Sequence, residues 1–125
     1  MSRFTLALVL ALAALVAVTA APAAPTALPK LVAKVGPDSS FKISLTKGGK
    51  KVTSLKPGKY LIAVTDTASI HNFHLTGPGV NKNSGVAAKT KARKPLKWTV
   101  TLKKGTYRFV CDPHATLMKG SFKVK

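Results

Sequence analysis

The chain has 125 residues, room for one modest domain, and sets 21 Lys+Arg against 3 Asp+Glu for a formal net charge of +18. With no glutamate and only the scattered Asp38, Asp66 and Asp112 it offers no carboxylate pair for acid–base chemistry, and its single cysteine excludes an intrachain disulfide framework. So large a charge favours solubility and attraction to anionic partners, but it does not select a fold.

Residues 1–23 read as a secretory signal peptide. Arg3 precedes an apolar run from Phe4 to about Val18, and small residues offer cleavage after Ala20 or Ala23. The run is short for a membrane anchor. The expectation is therefore a secreted or periplasmic protein of net charge +17, monomeric and without stable membrane insertion after cleavage. Residues 24–29 form an Ala/Pro linker, and the domain spans 30–125.

From Lys30 onward, short apolar alternations are separated by turn residues, a pattern of strands and not of long helices. Leu31–Val35 and Phe41–Leu45 are the first two, followed by a Gly48-Gly49 turn and a turn at Lys56-Pro57-Gly58-Lys59. Tyr60, Ile62 and Val64 then alternate inward, as do Leu96, Trp98, Val100 and Leu102, then Tyr107, Phe109 and Cys111, and finally Phe122 and Val124. Residues 76–94, rich in Gly, Pro, Asn, Ala and Lys, read as one long irregular segment. The pattern predicts an all-β, antiparallel Greek-key β-sandwich.

Beyond the signal segment, every histidine, cysteine and methionine falls in one of two short stretches. His71 and His74 lie in "SIHNFHL"; Cys111, His114 and Met118 lie in "CDPHATLM". A lone cysteine in an exported protein is ordinarily an intermolecular disulfide, an inert buried thiol or a reactive group. Here the neighbours change the reading, because a thiolate, two imidazoles and a weak thioether form the ligand set of a blue-copper electron-transfer site. Structural zinc has no use for a thioether. A nucleophilic Cys-His pair would lack an orienting partner, and its thiolate would be prone to oxidation.

Those two stretches resemble the cupredoxins, and among them the small plastocyanin- and amicyanin-like proteins. "HNFHL" is similar to the first-histidine motif of amicyanin, and "GTYRFVCDPHATLMKGSFKV" to the closing hairpin of the family. The resemblance implies one type 1 copper ion held by His71, Cys111 and His114 with Met118 as a long axial ligand. Asn72 and Asp112 are implied as outer-shell groups that tie the first-histidine segment to the ligand loop. The Cys-x2-His-x3-Met spacing is one residue shorter between His and Met than in plastocyanin and one longer than in amicyanin. Strand parity separates the two histidines of the first motif: His71 shares a face with apolar Phe73 and Leu75, while His74 shares the other with Asn72.

The function implied is single-electron shuttling by Cu(II)/Cu(I) cycling, not enzymatic turnover. Its partners are expected to be acidic redox proteins of cytochrome or oxidase type. The docking surface is expected around His114, from Pro113, Ala115, Leu117 and the segment from Leu75 to Val80, ringed by the lysines between Lys82 and Lys97. A copper carrier or storage protein is the alternative, though it would offer more exposed Met and His than this chain has. A basic module for envelope polymers or nucleic acid is another. Lys82, Lys89, Lys91, Arg93, Lys94 and Lys97 cluster, but no aromatic lies among them before Trp98, so no nucleic acid is expected.

Overall fold

Alternation of inward apolar and outward polar side chains builds two five-stranded sheets among the residues that the computed structural model describes, 16–37, 40–86 and 94–125. Outside them lie most of the signal-peptide segment, Asp38, Lys89, Lys91 and Arg93. Residues 16–29 are exposed and without regular structure, and no described helix is long and apolar enough to cross a membrane.

One sheet contains β1 (Lys30–Val35), β2 (Ile43–Lys47), β3 (Lys50–Lys51), β5 (Gly58–Asp66) and β8 (Leu96–Leu102), in the order β3-β2-β1-β5-β8. The other contains β4 (Ser54–Leu55), β6 (His74–Gly77), β7 (Val80–Asn83), β9 (Gly105–Val110) and β10 (Lys119–Val124), in the order β4-β10-β9-β6-β7. The sandwich is the one expected, but its sheets are mixed and not antiparallel throughout. β1 runs parallel to β5, and β10 parallel to β4. Alternation reveals which face a side chain takes; it carries no information on the direction of the neighbouring strand.

The core forms where the two inner faces meet. Leu31, Ala33 and Val35 of β1, with Tyr60, Ile62 and Val64 of β5 and Trp98, Val100 and Leu102 of β8, face Leu75, Tyr107, Phe109, Phe122 and Val124 of the second sheet. Phe73 stacks on Phe109 with ring centroids 5.5 Å apart, and Tyr107 on Phe122 at 5.3 Å. Such pairs add roughly 0.5–1.5 kcal/mol each beyond the area they bury. The Tyr107 hydroxyl donates to Pro78 O (2.8 Å) and accepts from Lys103 N–H (2.9 Å), joining two turns at one end of the sandwich.

Two sequence expectations need correction. Phe41 lies outside β2 and is half exposed, so that strand begins at Ile43. The segment expected to be irregular begins with a hairpin in which β6 pairs with β7 from Gly77↔Val80 to His74↔Asn83. β7 was hard to see because it is an edge strand with polar, exposed Asn81, Lys82 and Asn83 and a single apolar residue, Val80. The register defines the functional end: Val35 sits opposite Asp66, and Val110 lies opposite both Lys119 and His74. The connections leaving these strands carry Gly36, His71 and all of Cys111–Met118.

Candidate metal centre

The loop after β9 is shaped by its own backbone. Cys111 keeps an extended conformation, Pro113 starts a single 3-10 turn over Asp112–His114, and Cys111 N–H donates to Met118 O at 2.9 Å. His114 O accepts from Met118 N–H (2.8 Å) and Leu117 N–H (3.0 Å), while His114 N–H donates to Cys111 O (3.0 Å). A loop closed on itself in this way presents its side chains with little freedom to rearrange.

From the other side comes His71. It precedes β6, since His71–Phe73 are irregular and all three are buried, so the strand expected there starts only at His74. The structure brings His71, Cys111 and His114 together. Cys111 Sγ is 3.6 Å from His71 Nδ1 and 3.5 Å from His114 Nδ1, and the two Nδ1 atoms face each other at 3.1 Å. Cys111 and His71 are fully buried and His114 is partly so.

These donors fit a metal ion. A point equidistant from the three atoms lies about 2 Å from each, near the roughly 2.0–2.3 Å of metal–nitrogen and metal–sulfur bonds. Without a cation, two imidazole lone pairs and a thiol would be turned on one another in a buried space, an arrangement that burial penalises. The donor chemistry is that of a site for copper or another thiophilic metal. Met118 is also fully buried, one residue before β10.

Outside the triangle, Asn72 does the tying. Its amide NH2 donates to Asp112 Oδ2 (2.6 Å) and Asn83 Oδ1 (2.9 Å), and its carbonyl accepts from Asp112 N–H (2.7 Å). The Asp112 carboxylate also accepts from Asn83 Nδ2 (3.2 Å) and faces His74 Nδ1 (3.0 Å); His74 Nε2 faces Asn81 Oδ1 (2.8 Å). Partial burial opposes charge on His74, but hydrogen bonds to Asp112 and Asn81 and the charge of Asp112 outweigh it and raise the pKa above 6.5. Burial likewise works against the Asp112 carboxylate, yet its bonds with His74 and Asn72 carry the pKa below 3.8. Deeper in, burial raises the pKa of Asp66, partly offset by the Ala68 N–H it accepts and by His71.

Sequence reading missed Asn83, which β7 places opposite His74, and Ser84, whose Oγ accepts Phe73 N–H at 2.8 Å. Both lay in the stretch taken as irregular. It also missed Phe41, whose ring stands edge-on to His71 (5.5 Å) and His114 (4.8 Å) and roofs both imidazoles. Some residues expected at the docking surface lie away from the triad. Leu75 is buried, and Gly77–Val80 turn at the far end beside Tyr107. Exposed apolar residues near the triad are instead Phe41, Ile70, Pro113, Ala115 and Leu117.

Gly36 is a fourth omission. At its φ of +54° a side chain is strained, and a Cβ would stand 2.3 Å from His71 Cδ2. Gly36→Ala is expected to displace the imidazole and lose most bound metal on dialysis. Gly48→Ala supplies the control, with a φ of +55° and nothing within 4 Å. It is expected to cost about 1–2 kcal/mol of stability and no metal. Equal metal retention by the two variants would contradict a role for Gly36 in seating His71.

Residues 42–125 match the copper binding proteins of the plastocyanin/azurin family. Among solved structures, the copper protein rusticyanin is similar at a TM-score of 0.53 and 19% identity, covering 77% of this chain and 76% of that one. A methionine-to-glutamine mutant of rusticyanin gives 0.52 at 22%, and reduced rusticyanin solved by NMR gives 0.52 at 25%, each with the same 77% and 76% coverage. These likenesses show the shared fold. No curated protein sequence matches the chain.

Proposed function

Because the chain belongs to the plastocyanin/azurin family of copper-binding proteins, we propose that it is an exported electron carrier that takes and gives single electrons without transforming a substrate. Copper is its cofactor, and when bound supplies the one-electron couple between Cu(II) and Cu(I). The observation that carries the reading is the triangle of one thiol and two imidazole nitrogens with sides of 3.1–3.6 Å.

In this reading His71, Cys111 and His114 hold the ion, and Met118 is a weak fourth ligand. Asn72 and Asp112 keep the ligand loop against the first-histidine segment, so that the cage needs little rearrangement between oxidation states. His114, half covered and ringed by exposed Phe41, Pro113 and Leu117, is the edge through which electrons pass. The apolar run ahead of Ala20 and Ala23 exports the protein to an extracytoplasmic space.

Met118→Leu keeps the buried volume and removes the sulfur. It is expected to retain copper and raise the reduction potential, because a donor that favours Cu(II) is lost. Voltammetry showing an unchanged potential would remove Met118 from the ligand set.

The proposed partner is an acidic redox protein, which a chain of +18 attracts. Stopped-flow oxidation of the reduced protein by one acidic and one basic cytochrome, over a salt series, tests this. The acidic acceptor should react faster, and its rate should fall steeply with salt, since charges reach only about 8 Å at physiological ionic strength. Rates equal for both and flat in salt would show that charge does not select the partner, and no oxidation by either would contradict the carrier role.

A further inference from the structure

Among the described residues, the acidic side chains are unevenly placed. Asp66, which ends β5, and Asp112, which follows Cys111, both sit at the metal end. At the opposite pole, the β2–β3 turn, β4 and the end of β10 border an open groove of about 530 Å³. Lys47, Lys50, Lys51, Lys56 and Lys125 line it, all exposed. No side-chain carboxylate is among its lining residues. Its volume lies within the roughly 300–1,000 Å³ of ligand clefts.

We propose that this groove binds a linear phosphate polyanion, holding the protein by the pole opposite its metal centre. Lysines are compact point charges suited to phosphate, and five around one trough with no facing side-chain carboxylate attract a chain of anions. The trough is concave, so a flat bilayer surface would meet its rim and not its floor. Single-stranded nucleic acid is a poorer occupant, because its bases stack on exposed aromatic faces. The one aromatic in the lining, Tyr60, is buried with its hydroxyl donating to Lys56 O at 2.8 Å. The floor is completed by Val52 and Leu55, both buried. That tethering at this pole leaves His114 facing outward rests on the electron-carrier reading; the binding itself does not.

Three lysines changed to glutamine test the groove, Lys47, Lys51 and Lys56. Lys34, Lys82 and Lys97, on β1, β7 and β8 away from it, make a control with the same loss of charge. Binding of the full chain to long-chain inorganic polyphosphate is measured from 50 to 200 mM salt, with circular dichroism to show that both variants fold. The groove variant should bind at least about ten-fold more weakly than wild type, with a log–log salt slope shallower by about 2, as for three lost phosphate contacts. The control should change affinity by less than about two-fold if local contacts, not net charge, carry the binding. Equal weakening of both variants, no wild-type binding at 100 mM salt, or binding to phosphatidylserine–phosphatidylcholine vesicles but not to polyphosphate would each overturn the proposal.

Discussion

Cys111→Ser is expected to fold, keep both histidines in place, and yield a copper complex without intense visible colour. Colour in such a site comes from charge transfer from the thiolate sulfur to Cu(II) across a short bond. Serine preserves the size of the side chain, so the core around position 111, fully buried beside Phe109, should hardly notice the change. What disappears is the soft, readily ionised donor; a hydroxyl stays protonated near neutral pH and binds copper weakly. Absorption spectra and copper content, measured on the same samples, check the result. A serine variant as blue as the parent would mean that the colour arises elsewhere.

The histidines of the first motif should behave in opposite ways. His71→Ala removes a buried ring that faces both Cys111 Sγ and His114 Nδ1, leaving a cavity and two donors. Loss of the type 1 site is expected, with destabilisation of a few kcal/mol from the cavity. His74→Ala removes a side chain 24% exposed that bonds Asp112 and Asn81 but does not belong to the triangle. Its spectrum should stay close to the parent's, with a stability loss of about 1–2 kcal/mol. That loss should itself depend on pH. The folded pKa of His74 is raised, so its contribution is fully present below about 6.5 and fades as pH rises through the folded value. Thermal melts of the metal-free proteins at pH 5.5 and 9 should differ more at the lower pH. If instead His74→Ala bleaches the protein and His71→Ala does not, the assignment of the two residues is reversed.

Much of this was legible in the sequence because strand alternation is a local signal. Tyr60, Ile62 and Val64, then Trp98, Val100 and Leu102, read inward by period two and are inward. Clustering of Cys111, His114 and Met118 was legible for a different reason: a tight loop keeps near in space what is near in sequence. Pairing directions were not legible, since β1 and β5 lie parallel through contacts made across the intervening β2–β4. Nor was β7, whose polar outer edge matches the composition of a loop. The parity argument favoured His71 over His74, and the structure puts His71 in the triangle; it does so with His71–Phe73 out of strand geometry and Asn72 buried as well. Phe41 and Gly36 escaped notice because nothing in their own surroundings marks them. Their importance comes from where β1 ends and β2 begins, beside the ring of His71, which follows them by about thirty residues in the chain.

The measurement that bears most directly on the central claim is a visible spectrum of the purified wild-type protein titrated with Cu(II). The triangle of His71, Cys111 and His114 predicts an intense blue charge-transfer band that grows to one equivalent of copper and then stops. A one-to-one complex that stays colourless, or colour that keeps growing beyond one equivalent, would contradict a single blue-copper centre in this protein.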